Sequence, residues 1–302
     1  MNVGFIGLGH MGGPMSLNIL RAGVPLVVHD RNKEAAERHI SLGATWAETP
    51  AEAAAQVDVL ITMLPGPRQV ESVLIGAGAA EALPTGAVWL DMSTSTPEAA
   101  RTAGDRIAER GAHRLDAPVS GMARGAVDGT LQIFAGGEQP IFDRCLPLLE
   151  IMGDPERVFH VGGHGAGYTV KLMVNLLWFS HLVASAEVLT LGVTAGVDLD
   201  VLRRSLIASP ANSAFLERDV SGIIERGDYD ESFAMALACK DLGLAVDVSR
   251  DAGVPVELSA LVEQIYRRAK ATYGDLAGEM IPVRLYEDLA GVDLRVPVGG
   301  HS

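Results

Sequence analysis

The chain has 302 residues, 48% of them hydrophobic, 21% charged and 5% aromatic, and its 24 basic against 38 acidic side chains leave a formal net charge of −14. That length predicts two domains of about 150 residues each, the hydrophobic content excludes disorder as the main state, and acidity without a basic stripe excludes a nucleic-acid partner. Two cysteines, Cys145 and Cys239, lie far apart in no CxxC arrangement, which predicts thiols in a reducing compartment and neither a disulfide framework nor a zinc site.

In chain order, residues 3–7 read as a strand ending in a glycine turn, followed by a helix over 14–22. No basic region precedes an apolar core there, so no signal peptide is read and the cytoplasm is the expected location. A strand over 25–30 comes next, and Asn32 is placed to cap a helix beginning at Lys33. Helices over 50–56, 68–74 and 97–110 then alternate with strands over 57–63 and 87–91. Shorter strands over 113–116 and 131–135, a helix over 141–151 and a strand over 157–160 complete the pattern. Such alternation predicts an α/β fold, a doubly wound parallel sheet covered on both faces, here assigned to 1–162.

From Gly163 the texture turns to Leu- and Ala-rich segments of helical period, predicting an all-helical domain over 163–295. Its helices are expected at 168–194, 198–209, 214–226, 236–252, 256–273 and 281–288. The chain from Gly291 is read as loose, with 296–302 a free tail. The apolar stretch Leu172–Ala186 carries Asn175, Ser180 and His181, and is read as too short and too polar to span a membrane. A buried helix is expected instead. A helical domain of this size cannot bury it alone, which predicts a homodimer or homotetramer.

Gly7-x-Gly9-x-x-Gly12 follows a strand and opens a helix, with Asp30 closing the next strand. In that context Gly7 makes the tight turn, Gly9 lets the backbone approach a pyrophosphate and Gly12 permits close helix packing. The helix N-terminus supplies N–H groups to the phosphates. Asp30 is suited to the adenosine ribose hydroxyls and repels a 2′-phosphate, so NAD is favoured. Arg31 beside it keeps NADP open.

Two further segments carry chemistry. Asp116-Ala117-Pro118-Val119-Ser120-Gly121-Met122 ends a strand in a turn whose hydroxyl and N–H groups suit a carboxylate. Lys171 and Asn175 lie one turn apart on an otherwise apolar helix, where desolvation brings a lysine toward the role of general base.

Four blocks together resemble the β-hydroxyacid dehydrogenase family over nearly the whole chain. They are Phe5–Gly12 with Pro14-Met15, Asp116–Gly121, Gly167-x-x-x-Lys171-x-x-x-Asn175, and Phe233-x-x-x-Leu237-x-x-Lys240-Asp241-Leu242. The resemblance implies a Rossmann domain and a helical domain joined by a long central helix. It implies Lys171 as the catalytic residue, with Ser120, Gly121 and Asn175 holding a small carboxylate-bearing substrate. The cofactor contacts it implies are Gly7, Leu8, Gly9, His10, Met11, Gly12, Asp30, Arg31, Met63, Leu64, Pro65, Ser93, Thr94, Phe233 and Lys240. Met122 stands where the family usually has a second glycine, so its side chain is expected to reshape the substrate pocket. The implied reaction is hydride transfer between NAD and a 3-hydroxy acid of 3-hydroxyisobutyrate type, with tartronate semialdehyde and L-serine as near alternatives. An imine reductase or a non-catalytic dinucleotide-binding protein fits the lysine less well. No metal is expected, since His160 and His164 flank a glycine turn rather than a helix. Trp178 is read chiefly as packing, with a possible reach to the pocket.

Overall fold

The computed structural model describes residues 1–230 and 233–296, and the chain divides into two compact units, Met1–Leu172 and Met173–Ser302. The first unit contains β1 (Val3–Ile6), α1 (Gly12–Arg21), β2 (Leu26–His29), a 3-10 turn over Lys33–Ala36, α2 (Glu37–Ser41), β3 (Thr45–Trp46), α3 (Pro50–Ala54) and β4 (Val59–Thr62). It continues through α4 (Pro67–Glu71), a π-helical turn over Ser72–Gly76, α5 (Ala79–Ala82), β5 (Val88–Asp91), α6 (Arg101–Glu109), β6 (His113–Asp116) and β7 (Val119–Ser120). It ends with α7 (Met122–Asp128), β8 (Leu131–Gly136), α8 (Gln139–Met152), β9 (Gly153–Gly162) and the start of α9 (Ala166–Thr194). Asn32 caps the 3-10 turn as expected, its side chain accepting the Glu34 N–H at 3.1 Å.

The strand order is β3-β2-β1-β4-β5-β6-β8-β7, with β9 paired to β8. The sheet is parallel from β3 to β6 and again at β8–β9, but β6 and β7 each run antiparallel to β8. The expected doubly wound parallel sheet is thus present, with an antiparallel segment where β6 and β7 meet β8. The reversal lies between Ser120 and Leu131, where the seven-residue α7 returns the chain alongside β7 instead of crossing over the sheet. Both sheet faces are covered. Val3, Phe5, Met15, Ile19, Val28, Ile61, Leu90, Leu115 and Leu149 belong to one core; Ile6, Leu60, Leu74, Trp89, Ala103, Ile107 and Tyr168 belong to the other.

The second unit is helical: the remainder of α9, α10 (Leu199–Ile207), a π-helical turn over Phe215–Asp219, α11 (Ser221–Arg226), α12 (Met235–Asp251), α13 (Glu257–Tyr273) and α14 (Pro282–Ala290). Its core gathers Phe179, Leu182, Leu189, Phe215, Ile223, Leu242 and Tyr266. Two sequence expectations need correction. The segment from Gly291 to Val296 is tied down rather than loose. Leu294 is fully buried and gives its N–H to Glu287 Oε1 at 2.7 Å, Arg295 pairs with the same carboxylate, and Val296 N–H reaches Ile224 O at 3.1 Å. The rest of the expected tail, 297–302, lies outside the described residues. The central helix, at 29 residues, is also long and apolar enough by length and composition to cross a membrane, so shortness is no argument against a span. Lys171 and Glu187 within it still are.

Candidate active site

The steric roles expected of the glycine loop can be read from the backbone. Gly7 adopts φ +101°, and a Cβ there would stand 2.3 Å from Met63 O; a Cβ on Gly12 would stand 1.9 Å from Gly7 O. Both positions exclude a side chain because backbone already fills the space. Gly9 differs: it is exposed, with nothing within 4 Å of where its Cβ would be. The loop therefore leaves an open cradle at Gly9 and His10, while Leu8 is buried and Met11 half-buried beneath it. No side chain caps α1 and no acidic residue sits in its first turn; the Gly13 N–H is taken by Gly9 O at 2.9 Å and Pro14 has none, so the helix end offers the cradle its partial positive charge and the N–H groups before Gly13. An open, uncapped helix end of this form fits a dinucleotide pyrophosphate.

Asp30 holds the loop to the end of β2. Its Oδ2 accepts the Leu8 N–H at 2.7 Å and its Oδ1 the Asn32 N–H at 2.8 Å. A carboxylate has about four lone-pair sites, which leaves capacity for ribose hydroxyls. Arg31 next to it is exposed. On the far side of β1, Met63 and Leu64 are half-buried and Pro65 is exposed. Ser93 is fully buried, and its Oγ accepts the Leu64 N–H at 2.9 Å, so the two loops bearing Met63–Pro65 and Ser93–Thr94 are fastened together.

At the substrate segment, Ser120 ends β7, Gly121 has φ +128°, and Met122 has φ +58°. Met122 is the one non-glycine residue with positive φ among the described residues, a conformation costing a side-chain-bearing residue about 1–2 kcal/mol. Strain of this kind gathers at functional positions.

Lys171 is 9% exposed on α9. The turn that carries it is held from β6 by Asp116, which accepts the N–H groups of Gly165 at 2.7 Å, Gly167 at 2.8 Å and Tyr168 at 3.4 Å. These are orphan donors of a helix start, capped here by a carboxylate from a distant strand. The approach is close enough to demand glycine on both sides: a Cβ on Gly136 would meet Asp116 Oδ2 at 2.5 Å and one on Gly167 would meet Phe134 O at 2.3 Å. Burial pushes the Asp116 carboxyl from its ordinary 3.8 up to about 6, and the three N–H donors restrain the rise. Because the folded form holds its proton to higher pH than the unfolded chain, the Asp116 contribution to stability is greatest below pH 4 and declines as pH rises to about 6. Between those limits the stability of the wild type relative to Asp116→Asn should fall by about 3 kcal/mol and then level off. Urea unfolding at a series of pH values measures this, and a difference independent of pH would refute it.

In the second unit, Asn175 Nδ2 donates to Asp241 Oδ2 at 2.7 Å and Lys240 Nζ pairs with Asp241 Oδ1 at 2.8 Å. One carboxylate, 1% exposed, thus fixes both polar side chains expected at the site and turns the Asn175 carbonyl oxygen away from itself. Phe233 is half-buried, and its carbonyl accepts the Glu279 N–H at 3.0 Å. Trp178 gives its N–H to Asp219 at 2.7 Å and packs edge-on against Phe179 and Phe215, so it belongs to the core of this unit.

The supporting residues Asp91, Asp116, Tyr168 and Asp241 were not among the expected site residues. Asp116 and Asp241 stood inside the quoted motif blocks, and an acidic residue beside an apolar strand end or a site lysine was the available signal. Tyr168 and Asp91 are 77 positions apart and gave none.

The NAD binding domain of 6-phosphogluconate dehydrogenase matches residues 2–163, and the NAD-binding domain of NADP-dependent 3-hydroxyisobutyrate dehydrogenase matches residues 165–286. The chain is 34% identical over 295 residues to 2-(hydroxymethyl)glutarate dehydrogenase of Eubacterium barkeri, covering 97% of each chain. It is 35% identical over 272 residues to the NAD-dependent L-serine dehydrogenase of Pseudomonas aeruginosa, covering 88% of this chain and 91% of that one. The solved structure of Mycobacterium tuberculosis 3-hydroxyisobutyrate dehydrogenase with L-serine superposes with a TM-score of 0.86 at 29% identity, covering 94% of this chain and 98% of that one. With the glycine cradle, the Ser120 turn and the Lys171 helix, these matches establish that the chain belongs to the β-hydroxyacid dehydrogenase family of NAD-dependent oxidoreductases.

Proposed function

We propose that the protein oxidises a small carboxylic acid bearing a primary alcohol on the carbon next to the carboxyl-bearing carbon, with 3-hydroxyisobutyrate first and L-serine and the tartronate semialdehyde couple next. The observation that carries this reading is Lys171, buried on an apolar helix one turn before an Asn175 whose amide Asp241 holds. The substrates named for the relatives support the class, since L-serine and 2-(hydroxymethyl)glutarate both carry a CH₂OH group beside the carbon that bears the carboxyl.

Bound NAD supplies the hydride acceptor for the alcohol carbon. Lys171 Nζ, as free amine, takes the hydroxyl proton; in reduction its ammonium returns a proton to the forming alkoxide. The Ser120 hydroxyl and the Gly121 N–H hold the substrate carboxylate, and the Asn175 carbonyl oxygen accepts an N–H of Lys171 and so orients the amine toward the substrate hydroxyl. The cradle residues Gly7 to Gly12, with Asp30, Arg31, Met63, Leu64, Pro65, Ser93, Thr94, Phe233 and Lys240, hold the dinucleotide. The ribose capacity and charge of Asp30 favour NAD, with NADP as the lesser cofactor through Arg31.

The cofactor domain is assigned to 1–162 and the helical substrate and assembly domain to 163–295. Two free thiols, Cys145 and Cys239, support a cytoplasmic location. Met173, Leu177, Val188 and Leu191 recur along one side of α9 and are 42–71% exposed, which supports a homodimer or homotetramer that covers them.

The experiment is a panel of 3-hydroxyisobutyrate, glycerate, L-serine and 4-hydroxybutyrate followed by nicotinamide absorbance with NAD and with NADP. A flat response to all four, with cyclic imines reduced by NADPH, would overturn the reading. Met122 is the residue expected to set the choice within the class. Replacing it with glycine removes both the backbone strain and the side chain next to the carboxylate turn. Met122→Gly should raise kcat/KM for 2-(hydroxymethyl)glutarate relative to L-serine by about tenfold or more, with no loss of melting temperature. An unchanged ratio would place Met122 outside the pocket.

A further inference from the structure

Asp91, at the end of β5, is fully buried, and its carboxylate is ringed by donors. Tyr168 Oη donates to Oδ2 at 2.7 Å, Thr62 Oγ1 to Oδ1 at 2.8 Å and Ser93 N–H to Oδ1 at 3.1 Å. Trp89 Nε1 donates to Thr62 Oγ1 at 2.9 Å, which leaves the Thr62 proton for Asp91 and gives the chain of bonds one direction. Burial raises the Asp91 carboxyl above its ordinary range, and the donors draw it back. Asp116 and Arg114 are the other charged groups acting on Tyr168.

The members of this network lie where the reaction has its moving parts. Thr62 precedes Met63, and Ser93 carries the Leu64 N–H on its hydroxyl, so both cofactor loops on this side of the sheet start from it. Tyr168 lies on the first turn of α9, three residues and about 4.5 Å of rise before Lys171. Asp116 holds the backbone at the start of that turn, and the Tyr168 hydroxyl adds a side-chain attachment from the same turn to Asp91 at the end of β5.

We propose that Tyr168 and Asp91 are positioning residues, whose hydrogen bond sets the rotation of the first turn of α9, and so the direction of Lys171, relative to the loops at 63–65 and 93–94. The proposal rests on the reading of Lys171 as the acid–base group.

Tyr168→Phe, which deletes one oxygen and keeps the ring, is the test variant, with values corrected to the folded fraction from a melting curve. Its kcat should fall by about ten- to a hundredfold, as expected for a misplaced reacting group, while KM and the NAD dissociation constant stay within about twofold. Its kcat–pH profile should also lose whatever dependence Asp91 imposes on the acid side, because with the Tyr168 hydroxyl gone the protonation of Asp91 has no anchor left to weaken. Thr62→Val removes a different donor and keeps the Tyr168 anchor, so Asp91 takes up a proton sooner and the acid limb should move to higher pH while the plateau kcat is kept. Lys171→Ala is run alongside. If Lys171→Ala still turns over, the reading of Lys171 fails; if Lys171→Ala is inactive and Tyr168→Phe matches the wild type in kcat and pH profile, the positioning proposal alone fails. A plateau kcat lowered as much by Thr62→Val as by Tyr168→Phe would also overturn it, because the loss would then follow the charge of Asp91 and not the anchoring of the helix.

Discussion

Lys171→Ala is expected to lower kcat by about 10²- to 10⁴-fold, the range set by removal of a positioned general acid–base group, while NAD binds as it does to the wild type. The separation follows from the division of labour within the first unit. On the proposed reading the glycine cradle, Asp30 and the two loops fastened through Ser93 form the cofactor surface, and Lys171 serves the substrate alcohol. The helix itself should survive the change. Alanine is the strongest helix former, Asp116 caps the turn through the backbone of Gly165, Gly167 and Tyr168, and Tyr168 keeps its own anchor on Asp91. Since the side chain removed is 9% exposed, the change leaves a sheltered space that a small primary amine can enter. Added methylamine should therefore restore part of the turnover, in proportion to its free-base fraction as pH is varied. The checks are steady-state kinetics and NAD titration by protein fluorescence. Substantial residual kcat without added amine would remove Lys171 from the chemistry.

The contrast between Lys171 and its supports also explains which parts of the site were legible in sequence. Lys171, Asn175 and the glycines are informative because their oddity is local: a cation in an apolar helix, or small residues at the spacing of one turn. The carboxylates that organise them act across the fold. Asp116 meets residues 49 to 52 positions away and Asp91 meets Tyr168 at 77, distances at which no periodic pattern links two residues. Asp241 was visible only as a neighbour of Lys240, and its grip on Asn175 depends on α12 packing beside α9. Strand direction was equally out of reach, since alternation and apolar runs look alike in parallel and antiparallel pairs; hence the reversal between β7 and β8 was missed, as were the short elements β3, α5 and α7. The segment at 291–296 was misjudged for a related reason. Its single buried apolar residue, Leu294, carries no period, and its order comes from the Glu287 carboxylate that accepts its N–H and pairs with Arg295.

Gly9→Ala and Gly12→Ala are expected to weaken NAD binding by different routes, and the difference tests whether the cradle is built for the cofactor or merely for the turn. At Gly12 the added methyl carbon would sit 1.9 Å from Gly7 O and 3.0 Å from Phe5 Cε1, so α1 has to move off β1. Overpacking against backbone costs about 3 kcal/mol, enough to lower the melting temperature by several degrees in addition to the loss of binding. At Gly9 the added carbon meets no protein atom within 4 Å, and the backbone there does not require positive φ. Gly9→Ala should fold with the stability of the wild type. Its methyl group nevertheless stands in the open space over the uncapped N-terminus of α1, where a pyrophosphate draws on the N–H groups and the partial positive charge. Displacing the phosphates by a methyl radius weakens charge-assisted hydrogen bonds worth about 1.5–3 kcal/mol each, so loss of two of them lowers NAD affinity by about 10²-fold or more. Thermal melts with and without NAD separate the two variants: Gly12→Ala melts early in both, whereas Gly9→Ala melts like the wild type without NAD and gains far less when NAD is added. If Gly9→Ala is stabilised by NAD as the wild type is, the dinucleotide phosphates do not lie over Gly9.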